Sequence, residues 1–200
     1  MSAPLPPPLE YRPGLGQRIG LFGGSFNPAH AGHMHVAATA LERLELDWVW
    51  WIVARGNPLK SDHGDFAARL ASANAIADHP RMRVLDIEQR HELTYSIDTI
   101  TGFQARNPTA RFVWLMGGDN LAHFHKWKDW DAIAARVPIA VIARPGASLG
   151  ASEFETRFAA ARLPETDAAT LPNRPAPVWT YLTGKMVNVS STQIRAEQPD

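Results

Sequence analysis

Residues 21–33 read LFGGSFNPAHAGH, and they mark the point where a buried strand gives way to a helix. The apolar run ends in paired glycines, which let the backbone approach a ligand closely. Helical spacing of apolar residues begins at Ala31, so His30 and His33 flank the first helical turn. Free N–H groups at a helix start attract anions, and imidazole donors there strengthen when protonated, a form that a nearby phosphate favours. The stretch therefore predicts an anion site at the carboxyl end of a strand.

Outward from this stretch, apolar segments alternate with helical patterns along the chain. Segments that are apolar on both faces favour an α/β fold, in which helices cover both sides of a parallel sheet. In such sheets ligands bind beyond the carboxyl ends of the strands, near the point where the strand order reverses. Residues 164–177 contain four prolines and predict a loop. The predicted strands are 18–26, 48–54, 81–87, 111–118, 138–146 and 178–184, and the predicted helices begin at Ala31 or cover 65–77, 96–106, 130–136, 152–163 and 190–198.

The composition is that of one globular domain, with 200 residues of which 45% are hydrophobic and 20% charged. We assign this domain to residues 17–200, and the Pro-rich residues 1–16 to an extended, flexible tail. The formal net charge is +0 and the chain has no cysteine, which excludes thiolate chemistry and any bulk attraction to nucleic acid or anionic membrane. The longest apolar run, 48–54, is too short to span a bilayer, and the N-terminus lacks the apolar core of a secretory signal. The sequence thus predicts a cytoplasmic protein that binds neither nucleic acid nor membrane.

Several familiar site motifs do not fit this chain. The glycines of the opening stretch are not spaced as G-x-G-x-x-G, and Gly184-Lys185 is followed by Met186, which excludes a P-loop. A nucleophile elbow around Ser25 would need glycine where Asn27 stands. What remains is H-x-G-H, residues 30–33, directly after a strand and its glycines.

A second group of phosphate-binding residue types lies near the end of the chain, in SSTQIR at 190–195. Arg195 can share one helix face with the hydroxyl residues three and four positions before it. Hydroxyls, free N–H groups and a guanidinium fork could together grip phosphates. The same segment also fits a capping box, Ser190 with Gln193, which needs no ligand. Lys60 could add positive charge after the second strand or be an ordinary solvated loop residue.

Taken in order, these motifs resemble the nucleotidylyltransferase superfamily, in which H-x-G-H follows a strand that ends in G-G-[S/T]-F-[D/N]-P. More narrowly, the chain resembles the bacterial nicotinate-nucleotide adenylyltransferases of NAD synthesis from about Ile19 to Arg195. This resemblance implies a Rossmann-like, doubly wound and mainly parallel sheet. The further matching segments are NPLK at 57–60, LTYSIDT at 93–99, MGGDNLAHFHKW at 116–127, ARPG at 143–146 and VSSTQIR at 189–195.

The resemblance also implies a reaction, the transfer of an adenylyl group from ATP to nicotinate mononucleotide, with Mg²⁺ arriving on ATP rather than in a protein metal site. The attacking phosphate has a second pKa of about 6, so it is ionised without a general base, and catalysis depends on positioning and charge neutralisation. The implied catalytic residues are His30, His33 and Arg195. The implied ATP-binding residues are Gly23, Gly24, Ser25, Phe26, His30, His33, Gly117, Asp119, Ser190, Ser191, Thr192 and Arg195. The implied mononucleotide-binding residues are Asn27, Lys60, Tyr95, Ser96, Trp127 and Arg144.

The residues themselves leave simpler interpretations open. His30 and His33, with His35 nearby, could bind a metal or only cap a helix, although zinc usually requires three or four ligands in fixed geometry. Trp127 and Trp130 lie three positions apart and could both be core residues. The acceptor could instead be nicotinamide mononucleotide or phosphopantetheine, and a regulator could sense a dinucleotide without turnover. The sequence leaves the oligomeric state open.

Overall fold

One parallel sheet of six strands runs through the protein in a computed structural model that describes residues 13–56, 63–145, 150, 152–184, 191 and 194. The strands are β1 (Arg18–Gly24), β2 (Trp48–Val53), β3 (Met82–Leu85), β4 (Arg111–Gly117), β5 (Ile139–Ile142) and β6 (Trp179–Leu182). Their order in the sheet is β3-β2-β1-β4-β5-β6. The order therefore reverses between β1 and β4, and the carboxyl end of β1 lies at this switch point.

Helices join the strands and cover both faces of the sheet. The α-helices are α1 (Ala31–Arg43), α2 (Phe66–Ile76), α3 (Ile87–Arg90), α4 (Ser96–Arg106), α5 (Gly118–Leu121), α6 (Trp130–Arg136) and α7 (Glu153–Arg157). Shorter 3₁₀ segments cover Phe124–Lys126, Ala159–Ala161 and Glu165–Asn173.

Alternate residues of the central strands pack against opposite helical layers, as the period of a strand requires. Leu21 and its register partner Trp114 belong to one core, together with the apolar faces of α4, α6 and α7. Phe22 and its register partner Leu115 belong to the other, together with α1 and α2. The predicted doubly wound, Rossmann-like α/β fold with a parallel sheet is confirmed.

Several strands end earlier than the sequence predicts. The first predicted strand, 18–26, stops at Gly24, because Phe26 adopts a left-handed φ of 50° that a strand cannot contain. The third, 81–87, stops at Leu85, because a helical turn begins at Ile87.

Residues 164–177 are not the irregular loop that their prolines predict. They include the 3₁₀ helix Glu165–Asn173, and Ala168 and Leu171 of this helix are buried in the core. The φ of proline, about −65°, fits a 3₁₀ helix as well as a turn, so proline content alone did not distinguish the two. The predicted helix 152–163 is likewise divided, into α7 and the 3₁₀ turn Ala159–Ala161.

Within the described ranges, no helix is both long enough and apolar enough to cross a bilayer. Residues 1–12 of the predicted tail, 1–16, lie outside these ranges, and so does the predicted last helix, apart from Ser191 and Ile194. The division into a tail and a single domain therefore stays a prediction.

Candidate active site

A cavity of about 540 Å³ opens at the carboxyl ends of β1 and β4, at the switch point of the sheet. Four residues that the sequence places in the site lie outside the described residues: Lys60, Ser190, Thr192 and Arg195. The other predicted site residues all line this cavity: Gly23, Gly24, Ser25, Phe26, Asn27, His30, His33, Tyr95, Ser96, Gly117, Asp119, Trp127, Arg144 and Ser191.

The imidazoles of His30 and His33 cap the start of α1 and lie next to each other. The Gly32 N–H donates to Nδ1 of His30 at 3.0 Å, and the His30 N–H donates to Nδ1 of His33 at 3.2 Å. The ring centroids are 3.9 Å apart. Because both Nδ1 atoms accept, the neutral rings carry their proton on Nε2. The two Nδ1 atoms thus accept N–H groups at the start of the helix, and the Nε2 atoms carry the N–H groups of the two rings.

His30 is neutral at physiological pH. Burial, and after it the positive charge of Arg144, lower its pKa to about 4, and Asp119 offsets part of this shift. The sequence predicts imidazole donors that a phosphate strengthens by protonation, and the structure shows His30 as a neutral N–H donor. The neutral imidazole of His30 can donate this N–H to an anionic oxygen without first gaining a proton.

Arg144 lies beside the histidine pair rather than at the aromatic part of the cavity. Its Nη1 contacts both carboxylate oxygens of Asp119, at 3.2 and 3.3 Å, and its side chain is largely buried. A Cβ on Gly32 would come within 3.0 Å of the Arg144 guanidinium. The family resemblance implies that Arg144 binds the mononucleotide, and the structure places its charge next to the predicted ATP-binding residues.

The paired glycines at the end of β1 are explained by packing as well as by access to a ligand. A Cβ on Gly23 would lie 2.6 Å from the Trp114 ring, and one on Gly24 would lie 2.9 Å from the Phe26 ring. Both positions therefore exclude any larger residue while these aromatic rings keep their places. Glycine at these two positions therefore leaves the space that the Trp114 and Phe26 rings occupy.

The C-terminal motif contributes Ser191 to the same cavity. Its hydroxyl donates to the carbonyl oxygen of Pro28 at 3.0 Å, in the loop between β1 and α1. Two motifs 163 positions apart in the chain are thereby joined, as the phosphate-binding interpretation of SSTQIR requires.

An aromatic wall forms the other part of the cavity. Trp127 is half-buried and packs edge-on against Phe124 and Trp114, with ring centroids 5.4 and 6.2 Å apart. Tyr95 begins α4, and Nζ of Lys128 lies 4.3 Å from the centre of its ring. Trp127 therefore lines the cavity and also contacts the core, so both sequence interpretations of this residue find support.

Glu88 is a buried cavity residue that sequence reasoning missed. The Thr99 hydroxyl donates to one carboxylate oxygen at 2.9 Å, and the Arg55 N–H donates to the other at 3.4 Å. Burial raises the pKa of Glu88 to about 7, against the effect of both hydrogen bonds, and the nearby Asp98 raises it further. Its only sequence signal is a carboxylate just after a strand. Other polar lining residues that were missed are Thr94, Asn120, Lys126 and Lys128.

We expect the substitution Glu88→Gln to change how stability depends on pH. Between the ordinary pKa of 4.5 and about 7, the folded protein holds a proton on Glu88 that the unfolded chain has lost. This contribution makes the wild-type free energy of unfolding fall as pH rises through that interval. The variant should therefore gain stability relative to wild type from pH 4.5 to 7, by roughly 3 kcal/mol at most, since one pKa unit is about 1.4 kcal/mol.

Denaturant unfolding at several pH values measures this difference. His30, whose pKa is lowered to about 4, gives the opposite slope up to pH 6.5, but it is present in both proteins and cancels. Thr99→Val removes a donor to the carboxylate and should move the upper end of the interval to higher pH. A difference between wild type and Glu88→Gln that stays constant with pH would contradict the shifted pKa.

No group of three or more His, Asp or Glu side chains is placed to hold a metal ion in the part of the chain that the structure covers. The metal interpretation of the histidines therefore finds no support among those residues. His35 lies outside the lining of the cavity.

The fold and the strand-end cavity define a nucleotide-binding α/β protein, and comparison with known proteins specifies it. Residues 21–197 match the family model "Cytidylyltransferase-like". A relative from Methylorubrum extorquens, named "Probable nicotinate-nucleotide adenylyltransferase", is 50% identical over 89% of this chain and 98% of its own length. A relative of the same name from a Caulobacter species is also 50% identical, over 90% of this chain and 98% of its own. The chain belongs to the cytidylyltransferase-like family and, within it, to the nicotinate-nucleotide adenylyltransferases.

Solved structures agree on the fold. The nicotinic acid mononucleotide adenylyltransferase of Plasmodium falciparum, complexed with NaAD, matches with a TM-score of 0.70 at 17% identity, over 90% of this chain and 83% of the other. The same enzyme complexed with APC matches with a TM-score of 0.67 at 16% identity, over the same shares of the two chains. At this level of identity the likeness shows the common fold alone.

Proposed function

We propose that this protein transfers the adenylyl group of ATP to nicotinate mononucleotide, giving deamido-NAD and pyrophosphate. One observation carries the proposal: a single cavity at the switch point joins a pair of imidazole donors to an aromatic wall. The first part suits a triphosphate, and the second suits a flat pyridine ring. The names of the relatives support the same pair of substrates.

The reaction needs positioning more than acid–base chemistry. A phosphate oxygen of the mononucleotide attacks the α-phosphorus of ATP, a new P–O bond forms, and the bond to pyrophosphate breaks. The attacking oxygen is already ionised, so no proton has to be removed. His30 and His33 donate through Nε2–H to phosphate oxygens as charge develops on the phosphorus, and both are held in place by their Nδ1 contacts.

The remaining residues of the proposed site bind the negatively charged phosphates of the two substrates. Ser191 lines the cavity, and Arg195, Ser190 and Thr192 of the same motif are proposed to grip the β- and γ-phosphates. Lys60 is proposed to approach the mononucleotide. Mg²⁺ enters as part of the MgATP substrate. We place the reaction in the cytoplasm, because a chain without cysteine fits a reducing compartment.

An acceptor series tests the proposal. The purified protein is incubated with MgATP and, in turn, nicotinate mononucleotide, nicotinamide mononucleotide and phosphopantetheine, and released pyrophosphate is measured. We expect nicotinate mononucleotide to give the highest kcat/KM. Preference for phosphopantetheine would leave only the superfamily assignment. If the protein binds deamido-NAD but releases no pyrophosphate from ATP in the presence of any of the three acceptors, a dinucleotide sensor would be favoured.

A further inference from the structure

Arg69 is a buried arginine of α2 whose guanidinium donates to three backbone carbonyls. Only 3% of its surface is exposed, so its charge has to be satisfied inside the protein. Its Nη1 donates to the carbonyl oxygens of Ser25 at 2.9 Å and of Ala54 at 2.7 Å, and its Nη2 donates to that of Arg55 at 3.2 Å. One guanidinium thus joins the loop after β1 to the loop after β2.

These contacts begin where the sheet ends. The last link between the two strands is the Ala54 N–H, which donates to the carbonyl oxygen of Gly24 at 2.9 Å. Past this hydrogen bond, Arg69 binds the next backbone carbonyl after each strand, that of Ser25 and that of Ala54. The side chain therefore continues the hydrogen bonding of the sheet by one step, toward the cavity that both residues line.

Ser72, one helical turn further along α2, holds the rest of the same loop. Its hydroxyl accepts from the Ala29 N–H at 3.1 Å, and its one proton is within reach of two carbonyl oxygens, that of Phe26 at 3.2 Å and that of Arg69 in its own helix at 2.9 Å. Phe26 has a left-handed φ of 50°, a conformation that a bulky residue keeps only where its surroundings impose it. The loop ends at His30, the first residue of the imidazole pair.

We propose that Arg69 and Ser72 are positioning residues for adenylyl transfer, which fix residues 25–29 so that His30 and His33 present their donors to the triphosphate. This inference rests on the proposed function. Neither side chain has to touch a substrate. Their effect reaches the reaction through the loop that carries the histidine cap, where a displacement of about 1 Å can cost about 100-fold in rate.

The variant Arg69→Met keeps the apolar stem and removes the three carbonyl contacts. We expect kcat to fall about 10- to 100-fold, with a smaller change in the KM for the mononucleotide, because only Asn27 of the residues assigned to it lies in the loop and the aromatic wall is built on other elements. Binding of a non-cleavable ATP analogue, measured by calorimetry, should weaken as well. Arg69→Lys should restore part of kcat, because an ammonium group lacks the fork that reaches two loops. Ser72→Ala should show a smaller loss of kcat, about 2- to 10-fold.

Arg81→Met is the control, at an arginine that is exposed where Arg69 is buried. Arg81 also donates from Nη1 to a backbone carbonyl, that of Leu46 at 3.1 Å, but it lies at the opposite edge of the sheet, before β3. Both substitutions should lower the melting temperature, and only Arg69→Met should lower kcat when rates are measured far below melting. If Arg69→Met does not fold, Arg69→Lys and Ser72→Ala decide by the same comparison.

Normal kcat in the folded Arg69 and Ser72 variants would overturn the positioning role and leave the proposed function intact. Equal losses of kcat in Arg69→Met and Arg81→Met would also overturn it, since they would report stability alone. If wild-type protein neither binds the ATP analogue nor releases pyrophosphate, the proposed function itself fails.

Discussion

Replacing His33 by alanine should lower kcat by about 10²- to 10³-fold, the usual cost of removing one preorganised donor to developing charge. The ring has two separate tasks in the structure. Its Nδ1 accepts the His30 N–H at 3.2 Å, which caps the helix, while Nε2 is the nitrogen that we propose to donate to a phosphate. Steady-state kinetics with MgATP and nicotinate mononucleotide, together with thermal unfolding, measure the combined loss.

Two further substitutions separate these tasks. An asparagine at 33 can place an oxygen near the position of Nδ1, so His33→Asn should keep most of the cap and lose the donor. A glutamine can place an N–H near the position of Nε2, so His33→Gln should recover part of kcat. Near-normal turnover in His33→Asn would mean that His33 only caps the helix.

Trp127→Ala should weaken the mononucleotide about 5- to 150-fold and leave ATP nearly unaffected. Stacking of a base on an aromatic side chain contributes about 1–3 kcal/mol, and the pyridine ring is proposed to use the same interaction. Trp127→Phe should keep much of the binding, because an aromatic face remains. Separate KM values for the two substrates, measured beside the melting temperature, test the substitution.

Trp130 is the natural control for this experiment. It lies three residues further on, outside the lining of the cavity, and packs against Phe124, Phe154 and Phe158. Trp130→Ala should therefore lower stability without a bias toward either substrate. The same behaviour in Trp127→Ala, a large loss of stability that affects both substrates equally, would make Trp127 a core residue and remove it from the proposed binding site.

The sequence was sufficient for the layers of the fold and for the edge where the site lies. Apolar strands such as β2 can be buried only between two helical layers, and H-x-G-H marks one strand end directly. These signals are local, since each depends on residues within one segment. Packing of Gly23 against Trp114 depends on a distant strand, and packing of Gly24 against Phe26 depends on the left-handed turn at Phe26, so the pattern showed the glycines but not this second reason for them.

The features that were missed depend on tertiary structure. Nothing in the pattern of α2 distinguishes Arg69 from a solvated arginine, because its inward direction follows from where the helix meets the ends of β1 and β2. Glu88 is buried by the packing of α3 and α4, and the neutral state of His30 follows from burial and the placement of Arg144. Charge and orientation of this kind can be assigned only when the neighbours from other elements are known.

The glycine of H-x-G-H carries information of a different kind from the two histidines. Ala31 is exposed, whereas a Cβ on Gly32 would come within 2.9 Å of the His30 ring. A methyl group there would push the first imidazole from its cap, although Gly32 has no side chain of its own to offer a substrate. In comparisons among relatives, invariance at this position would record a steric requirement of a neighbouring ring and would not by itself indicate a role in chemistry.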